Sequence, residues 1–212
     1  MSAGTVAVVP IRSLTGGKTR LSGAVDAEAR AELIRLMLSN VLRAISETAG
    51  IDRVVVVSPE PAALALAANL FNHAHLLAQP VDTPGLLPAL ELGRAHALDA
   101  AVDAVVIVFG DLPRLTAADL DAMLHSDAEV VIAPDRDRMG TNALLLRGPA
   151  IAAFPFRFGD ASFPAHVAAA AHLGLRVVIV EREGLSFDLD TPGDLTVLRS
   201  AMTASVPWMA AS

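Results

Sequence analysis

Apolar positions along this chain follow two alternating periods. Thr5–Pro10, Arg53–Val57, Ala104–Phe109 and Glu129–Ala133 are short, nearly unbroken runs of Val, Ile and Ala, the pattern of strands buried on both faces. Between them the spacing changes to that of helices. Asp26–Thr48 carries Leu33, Leu36, Met37, Val41, Leu42 and Ile45 on one helical face, with Asp26 as N-cap and Gly50 as terminator. Glu60–Leu70, Leu86–Ala101, a segment from Thr116 to His125, and Ser162–Leu173 read as further helices. His75–Ala78, Ala143–Leu146, Leu175–Val180 and Ser186–Leu189 read as shorter strands. Thr191-Pro192 opens a last helix, with Pro at the first helical position. Arg12–Gly23 is a loop, and Thr203–Ser212 a tail that Trp208 could pin down. This alternation predicts an α/β fold with a mostly parallel sheet between helices, in one domain spanning residues 1–212. Sheets of this kind bind ligands at the carboxyl ends of their strands.

Composition adds exclusions. Hydrophobic residues make up 53% of the 212, enough for a large core. No apolar run reaches the length of a membrane span, and no basic segment precedes a long apolar stretch and cleavage site, so a soluble cytoplasmic protein without membrane contacts is expected. The apolar fraction permits a homodimer interface without specifying one. The absence of cysteine excludes disulfides, thiolate metal ligands and cysteine nucleophiles. A net charge of −7 and an aromatic content of 4% argue against a nucleic-acid partner.

The charge is uneven. Residues 1–25 contain Arg12, Lys18 and Arg20 and no acid, which suits a small polyanion. Lys18 is the chain's single lysine and lies in Gly16-Gly17-Lys18-Thr19-Arg20. An ammonium is a compact point charge where a guanidinium is a wide fork, so this position reads as a close phosphate contact. The loop follows a strand and precedes a helix, as phosphate loops require, although its spacing is not that of a Walker motif.

Three acids complete the candidate chemistry. Asp111, in Gly110-Asp111-Leu112-Pro113, stands just past a buried strand. Asp188 and Asp190 are two apart, on one side of an extended segment, at about 6.6 Å separation. Carboxylates so placed can share a divalent cation such as Mg²⁺ with substrate phosphates, although Asp190 could instead cap the helix at Pro192. Gly140-Thr141-Asn142 and Gly159-Asp160-Ala161-Ser162 each put a hydroxyl beside a turn glycine. Ser162 before a helix suits a phosphate, or simply an N-cap. The six histidines show no metal-ligand spacing and read as surface or core-edge residues.

Taken in order, Val9-Pro10-Ile11-Arg12 with Lys18-Thr19-Arg20-Leu21, Gly110-Asp111-Leu112-Pro113, Gly140-Thr141-Asn142-Ala143, Arg157-Phe158-Gly159 with Ser162, and Asp188-Leu189-Asp190-Thr191-Pro192 resemble the guanylyltransferases of coenzyme F-420 biosynthesis. The resemblance runs from Val6 to about Leu198. It implies a three-layer, GT-A-like nucleotidyltransferase fold with a mostly parallel mixed sheet. It also implies transfer of GMP from GTP onto the phosphate of a three-carbon acid, with release of pyrophosphate. The acceptors in that family are phosphoenolpyruvate, 2-phospho-L-lactate and 3-phospho-D-glycerate. The Arg-rich, Ala-rich composition, suggestive of a GC-rich bacterial genome, favours phosphoenolpyruvate. By the same resemblance Asp111, Asp188 and Asp190 would hold Mg²⁺, Arg12, Lys18 and Arg20 would face the GTP phosphates, and Thr141, Gly159 and Ser162 would hold the acceptor phosphate. Lys18 and the three aspartates would form the catalytic set. Two positions depart from the family pattern: Arg12 stands where Lys is expected, and Leu87 or Pro88 where Asn is frequent. The rivals are another GT-A nucleotidyl- or glycosyltransferase and a GTP-binding domain without turnover.

Overall fold

The structure is a computed structural model describing residues 4–71 and 73–202. Seven strands form one sheet: β1 (Thr5–Pro10), β2 (Arg53–Ser58), β3 (His75–Ala78), β4 (Ala104–Val108), β5 (Val130–Pro134), β6 (Thr141–Arg147) and β7 (Val177–Ile179). Their spatial order is β3-β2-β1-β4-β6-β5-β7. Only β6 runs antiparallel to its neighbours, β4 and β5. All other pairs are parallel. The expected mostly parallel mixed sheet is therefore what the chain forms.

The apolar runs explain the centre of the sheet. Val8 stands between Val55 on one side and Ile107 on the other. Successive residues of each strand feed opposite cores. Ala7 and Val9 pack with α1 (Ala27–Glu47), α2 (Pro61–Leu70) and α4 (Ala117–Leu124). Val6 and Val8 pack with α3 (Leu86–Asp99), α5 (Ala150–Ala153) and α6 (Ser162–His172). Two cores separated by one sheet follow from the strand period of two. Helix α3 lies so close to β1 that a Cβ on Gly93 would come within 2.5 Å of Val8 Cγ1.

Helix α1 starts where its sequence says, the Asp26 carboxylate accepting the Ala29 amide hydrogen at 2.8 Å. Its end differs from expectation. Gly50 does not close it; Thr48 does, by donating its amide to Ile45 and its hydroxyl to Ala44. The buried stripe includes Ile34 and Leu38, while Leu36 is only half-buried.

One further expectation is corrected. Ser186–Leu189 is not a strand. A one-turn helix α7 (Glu183–Ser186) occupies its start, and Phe187–Asp190 follow without a strand partner among the described residues. Its alternating pattern survives, however, with Phe187 and Leu189 buried and Asp188 and Asp190, each following one of them, half-buried. Helix α5 and the one-turn 3-10 helix Thr19–Leu21 were not anticipated, being shorter than any periodicity can signal. Helix α8 (Pro192–Met202) starts at Pro192 as expected. The tail expected over 203–212 lies outside the described residues.

Candidate active site

The strand order reverses direction at the centre of the sheet. From β1 the chain moves outward to β2 and β3, then returns to place β4 on the other side of β1. The loops that follow β1 and β4 thus diverge, opening a crevice at their carboxyl ends, where ligands bind in such sheets. Two adjoining cavities of about 650 and 610 Å³ occupy this edge. The first is lined by Arg12, Gly16, Gly17, Lys18 and Arg20. The second is lined by Thr141, Gly159, Ser162 and Asp188. Arg20, Asp111 and Asp190 belong to both. All the site residues singled out in the sequence therefore gather at one edge, divided between two chambers with a shared wall.

The first chamber is built by the loop after β1. Ile11 donates its amide to Val57, extending the ladder by one bond. Leu14 donates its amide to Glu60 at 2.8 Å, which ties the loop to the start of α2. The Gly16 amide is already used by Ser13 Oγ at 2.8 Å, so the glycines do not free every amide for a ligand. Lys18 then turns left-handed, with φ 55. This places its ammonium 2.6 Å from Asp111 Oδ2 and 2.5 Å from Asp190 Oδ1. Burial alone would lower the Lys18 pKa; the charges of Asp111 and Asp190 and their hydrogen bonds outweigh it and raise it. The lysine is therefore charged wherever the protein is folded at neutral pH. Arg20 is more loosely placed, 3.8 Å from Asp190 Oδ2 and largely exposed.

The acids are held from behind. Asp111 follows β4 in a loop whose Leu112 and Leu115 carbonyls accept from Asn40 Nδ2, buried in α1. Leu189 donates its amide to the Asp111 carbonyl at 3.2 Å, joining this loop to the Asp188–Asp190 segment. Asp190 does not cap α8. Thr191 does, its Oγ1 accepting the Asp194 amide at 3.3 Å, while Asp194 Oδ2 reaches back to accept the amides of Asp190 and Thr191 and the hydroxyl of Thr191. Asp194 is further engaged by Arg136. Its pKa is lowered: burial would raise it, but the Thr191 and Arg136 hydrogen bonds prevail. The carboxylate of Asp190 is thereby left for the cleft.

Asp188 is the third acid. Its pKa is pushed up to about 6, first by burial and then by the charges of Asp111 and Asp190, against weaker opposition from its own amide and Asn142. Asn142 Nδ2 donates to the Leu185 carbonyl at 2.9 Å and lies 3.4 Å from Asp188 Oδ1. Among the described residues no three acidic or histidine side chains are arranged to enclose a metal ion as they stand. The Lys18 ammonium instead bridges Asp111 and Asp190. As donors, though, three carboxylates offset by one ammonium and a distant guanidinium form a hard, oxygen-rich and net negative set, the chemistry that Mg²⁺ requires.

In the second chamber Thr141 opens β6 and Ser162 opens α6. Ser162 is the first helical residue rather than the cap. Ala161 caps, at φ 55, with no side chain to offer. Gly159 has φ 133, a conformation that an L side chain rarely adopts. Phe109 and Phe158 pack edge to face at 5.2 Å and give the chamber an apolar wall.

The model of the family described as "Guanylyl transferase CofC like" matches residues 5–201. The chain belongs to this family. Its relatives within the family include the phosphoenolpyruvate guanylyltransferase of Rubrobacter xylanophilus, 44% identical over 198 residues that cover 92% of this chain and 93% of that one. The phosphoenolpyruvate guanylyltransferase of Sphaerobacter thermophilus is 40% identical, covering 92% of each. The fold is also that of a solved 4-diphosphocytidyl-2C-methyl-D-erythritol synthase, with a TM-score of 0.64 at 16% identity over 95% of this chain and 99% of that one. The nucleotidyltransferase fold implied by the family resemblance is thus the one that this chain adopts. Sequence reasoning passed over Asn40 and Asp194 and gave Asn142 no role of its own within its motif, although these polar residues hold this family member's acids in place. A buried Asn in an apolar helix face was the one available signal.

Proposed function

We propose that this chain transfers GMP from GTP to the phosphate of phosphoenolpyruvate, releasing pyrophosphate, as a step of coenzyme F-420 biosynthesis. The observation that carries this reading is the shared wall: two chambers meet at Asp111 and Asp190, with the chain's single lysine between them. Such a site brings two anionic substrates together at a point of concentrated, opposed charge. GTP would occupy the chamber built by the β1 loop, its phosphates facing Arg12, Lys18 and Arg20. The acceptor phosphate would lie against Thr141, Gly159 and Ser162, with its methylene end towards the Phe109 and Phe158 rings.

In the reaction an oxygen of the acceptor phosphate attacks the α-phosphorus of GTP. The bond from that phosphorus to the β-bridging oxygen breaks, and pyrophosphate leaves with the electron pair. The attacking oxygen is already anionic near neutral pH, so no side chain has to remove a proton. The protein's work is positioning and neutralisation. Lys18 and the arginines stabilise the charge gathering on the leaving pyrophosphate. Asp111, Asp188 and Asp190 would hold Mg²⁺, which when bound supplies positive charge to the phosphate oxygens.

The test is pyrophosphate release from GTP and Mg²⁺ with phosphoenolpyruvate, 2-phospho-L-lactate and 3-phospho-D-glycerate in turn, with ATP and CTP as controls. Release with GTP and phosphoenolpyruvate is expected. Folded protein that binds GTP yet releases nothing with phosphoenolpyruvate overturns the proposal.

A further inference from the structure

His166 lies on α6 one turn beyond Ser162, on the same helical face, and is fully buried. It does not line either chamber. Both of its ring nitrogens are nevertheless in use, and the two contacts together fix its tautomer. The backbone amide of Arg157 points at Nε2, 3.0 Å away. An amide N–H can only donate, so Nε2 presents its lone pair. A neutral imidazole then carries its proton on Nδ1. Nδ1 lies 2.9 Å from Thr141 Oγ1. The ring is thus the donor in this bond and the Thr141 hydroxyl the acceptor, which leaves the hydroxyl's own hydrogen uncommitted to the ring.

Thr141 lines the second chamber. We infer that His166 is a positioning residue, which occupies a lone pair of the Thr141 hydroxyl so that its hydrogen turns into the chamber as a donor for the acceptor phosphate. This inference rests on the reading that Thr141 and Gly159 face that phosphate. The same ring holds the second wall, because the Arg157 amide that it accepts lies two residues before Gly159. One imidazole therefore joins β6 to the 157–159 loop, while its Nδ1 contact alone sets the direction of the hydroxyl. Its orientation is held by neighbouring rings: Phe158 meets it edge to face at 4.7 Å, and Phe154 stands 5.8 Å away. Burial, reinforced by the Arg157 charge, pushes the imidazole down to about 4, so it is neutral in the working range.

Three substitutions separate the two contacts. H166N keeps an N–H near the place of Nδ1 and loses the acceptor for Arg157. H166Q keeps an acceptor near the place of Nε2 and loses the donor to Thr141. H166F keeps a ring and loses both. With pyrophosphate release as the assay, H166F and H166Q are expected to raise KM for the acceptor tenfold or more, with KM for GTP changed less than twofold. H166N is expected to recover most of the loss. T141V should cost as much as H166F, and the double variant no more than either alone. In the unsubstituted protein, ¹⁵N NMR of the imidazole should show the proton on Nδ1 at neutral pH, a readout that needs neither turnover nor a variant. A proton on Nε2, an H166N as impaired as H166F, or losses that multiply in the double variant would each overturn the inference. If H166F does not fold, the H166N and H166Q pair and the tautomer still decide it. If T141V leaves the acceptor KM unchanged, the placement of the acceptor phosphate is wrong. If T141V is costly and no His166 variant is, the placement stands and the inference alone fails.

Discussion

Replacing Asp188 by Asn should stabilise this protein while disabling it. The carboxylate is half-buried beside Asp111 and Asp190, and its pKa stands at about 6 against an ordinary 3.8. At 1.4 kcal/mol per tenfold, that rise means that the ionised group costs the folded state up to about 3 kcal/mol above pH 6. Solvent reaches part of the group and screens it, so about 1–2 kcal/mol is the realistic figure. The sign follows from proton binding. Between 3.8 and about 6 the folded protein holds a proton that the unfolded chain has released, so stability falls as pH rises through this window and is flat above it. Asn has the same shape, can still accept from Asn142, and carries no charge. D188N should therefore melt about 2–6 °C higher near pH 7.5. The gain should shrink by about half near pH 5 and fade toward the ordinary carboxylate value. Pyrophosphate release from GTP should meanwhile fall at least hundredfold, because a proposed cation ligand is gone. The assays are thermal unfolding across pH 4.5–8 without divalent cation, and turnover with saturating Mg²⁺. A D188N protein that melts lower near pH 7.5, or whose gain does not change with pH, would show that burial and the neighbouring carboxylates do not disfavour the ionised Asp188 as argued.

Other substitutions probe the parts around that acid. Lys18→Arg keeps the charge but places a planar fork where one nitrogen meets Asp111 and Asp190 at 2.6 and 2.5 Å; kcat/KM should fall about ten- to a hundredfold, and full activity would refute the close-contact reading of Lys18. Asp194→Ala removes the acceptor of the Asp190 and Thr191 amides; chemical denaturation should show a loss of about 1–2 kcal/mol, with turnover falling at least tenfold because Asp190 loses its anchor, and unchanged turnover would free Asp190 from this dependence. Gly93→Ala drives a methyl to within 2.5 Å of Val8 Cγ1 and should cost about 1–3 kcal/mol in unfolding experiments without a change in KM for either substrate; a neutral result would mean that α3 shifts on the sheet at no cost.

Much of this architecture was legible in the chain. Runs such as Val54–Val57 and Ala104–Val108 cannot be amphipathic, so they had to be strands covered on both faces, and the helical stripe of α1 had to cover one of them. Asp26 and Pro192 marked helix starts because capping and a fixed φ are local properties. Failures occurred where the local signal is weak. Ser186–Leu189 alternates like a strand, yet among the described residues no neighbouring edge offers it a ladder. Gly50 looked like a terminator, but Thr48 satisfies the last carbonyls first.

The site divides in the same way. The order of the motifs, the lone lysine in a glycine loop and the pair of aspartates two apart are properties of the chain itself, because each is a matter of residue type and short spacing. Their meeting was settled by the sheet. Lys18, Asp111 and Asp190 are 93 and 79 residues apart in sequence; the first two converge because β1 and β4 are parallel neighbours whose following loops leave the same edge, and Asp190 joins them because the Leu189 amide binds the Asp111 carbonyl. Charge environment is likewise a tertiary property: nothing in Asp-Leu-Asp foretells that Asp188 is raised to about 6 while Asp190 is bound to an ammonium. His166 makes the same point. In the sequence it was one of six histidines read as surface or core-edge residues, yet it is fully buried; a ring's burial and tautomer depend on what reaches it across space, and here the donor is the amide of Arg157.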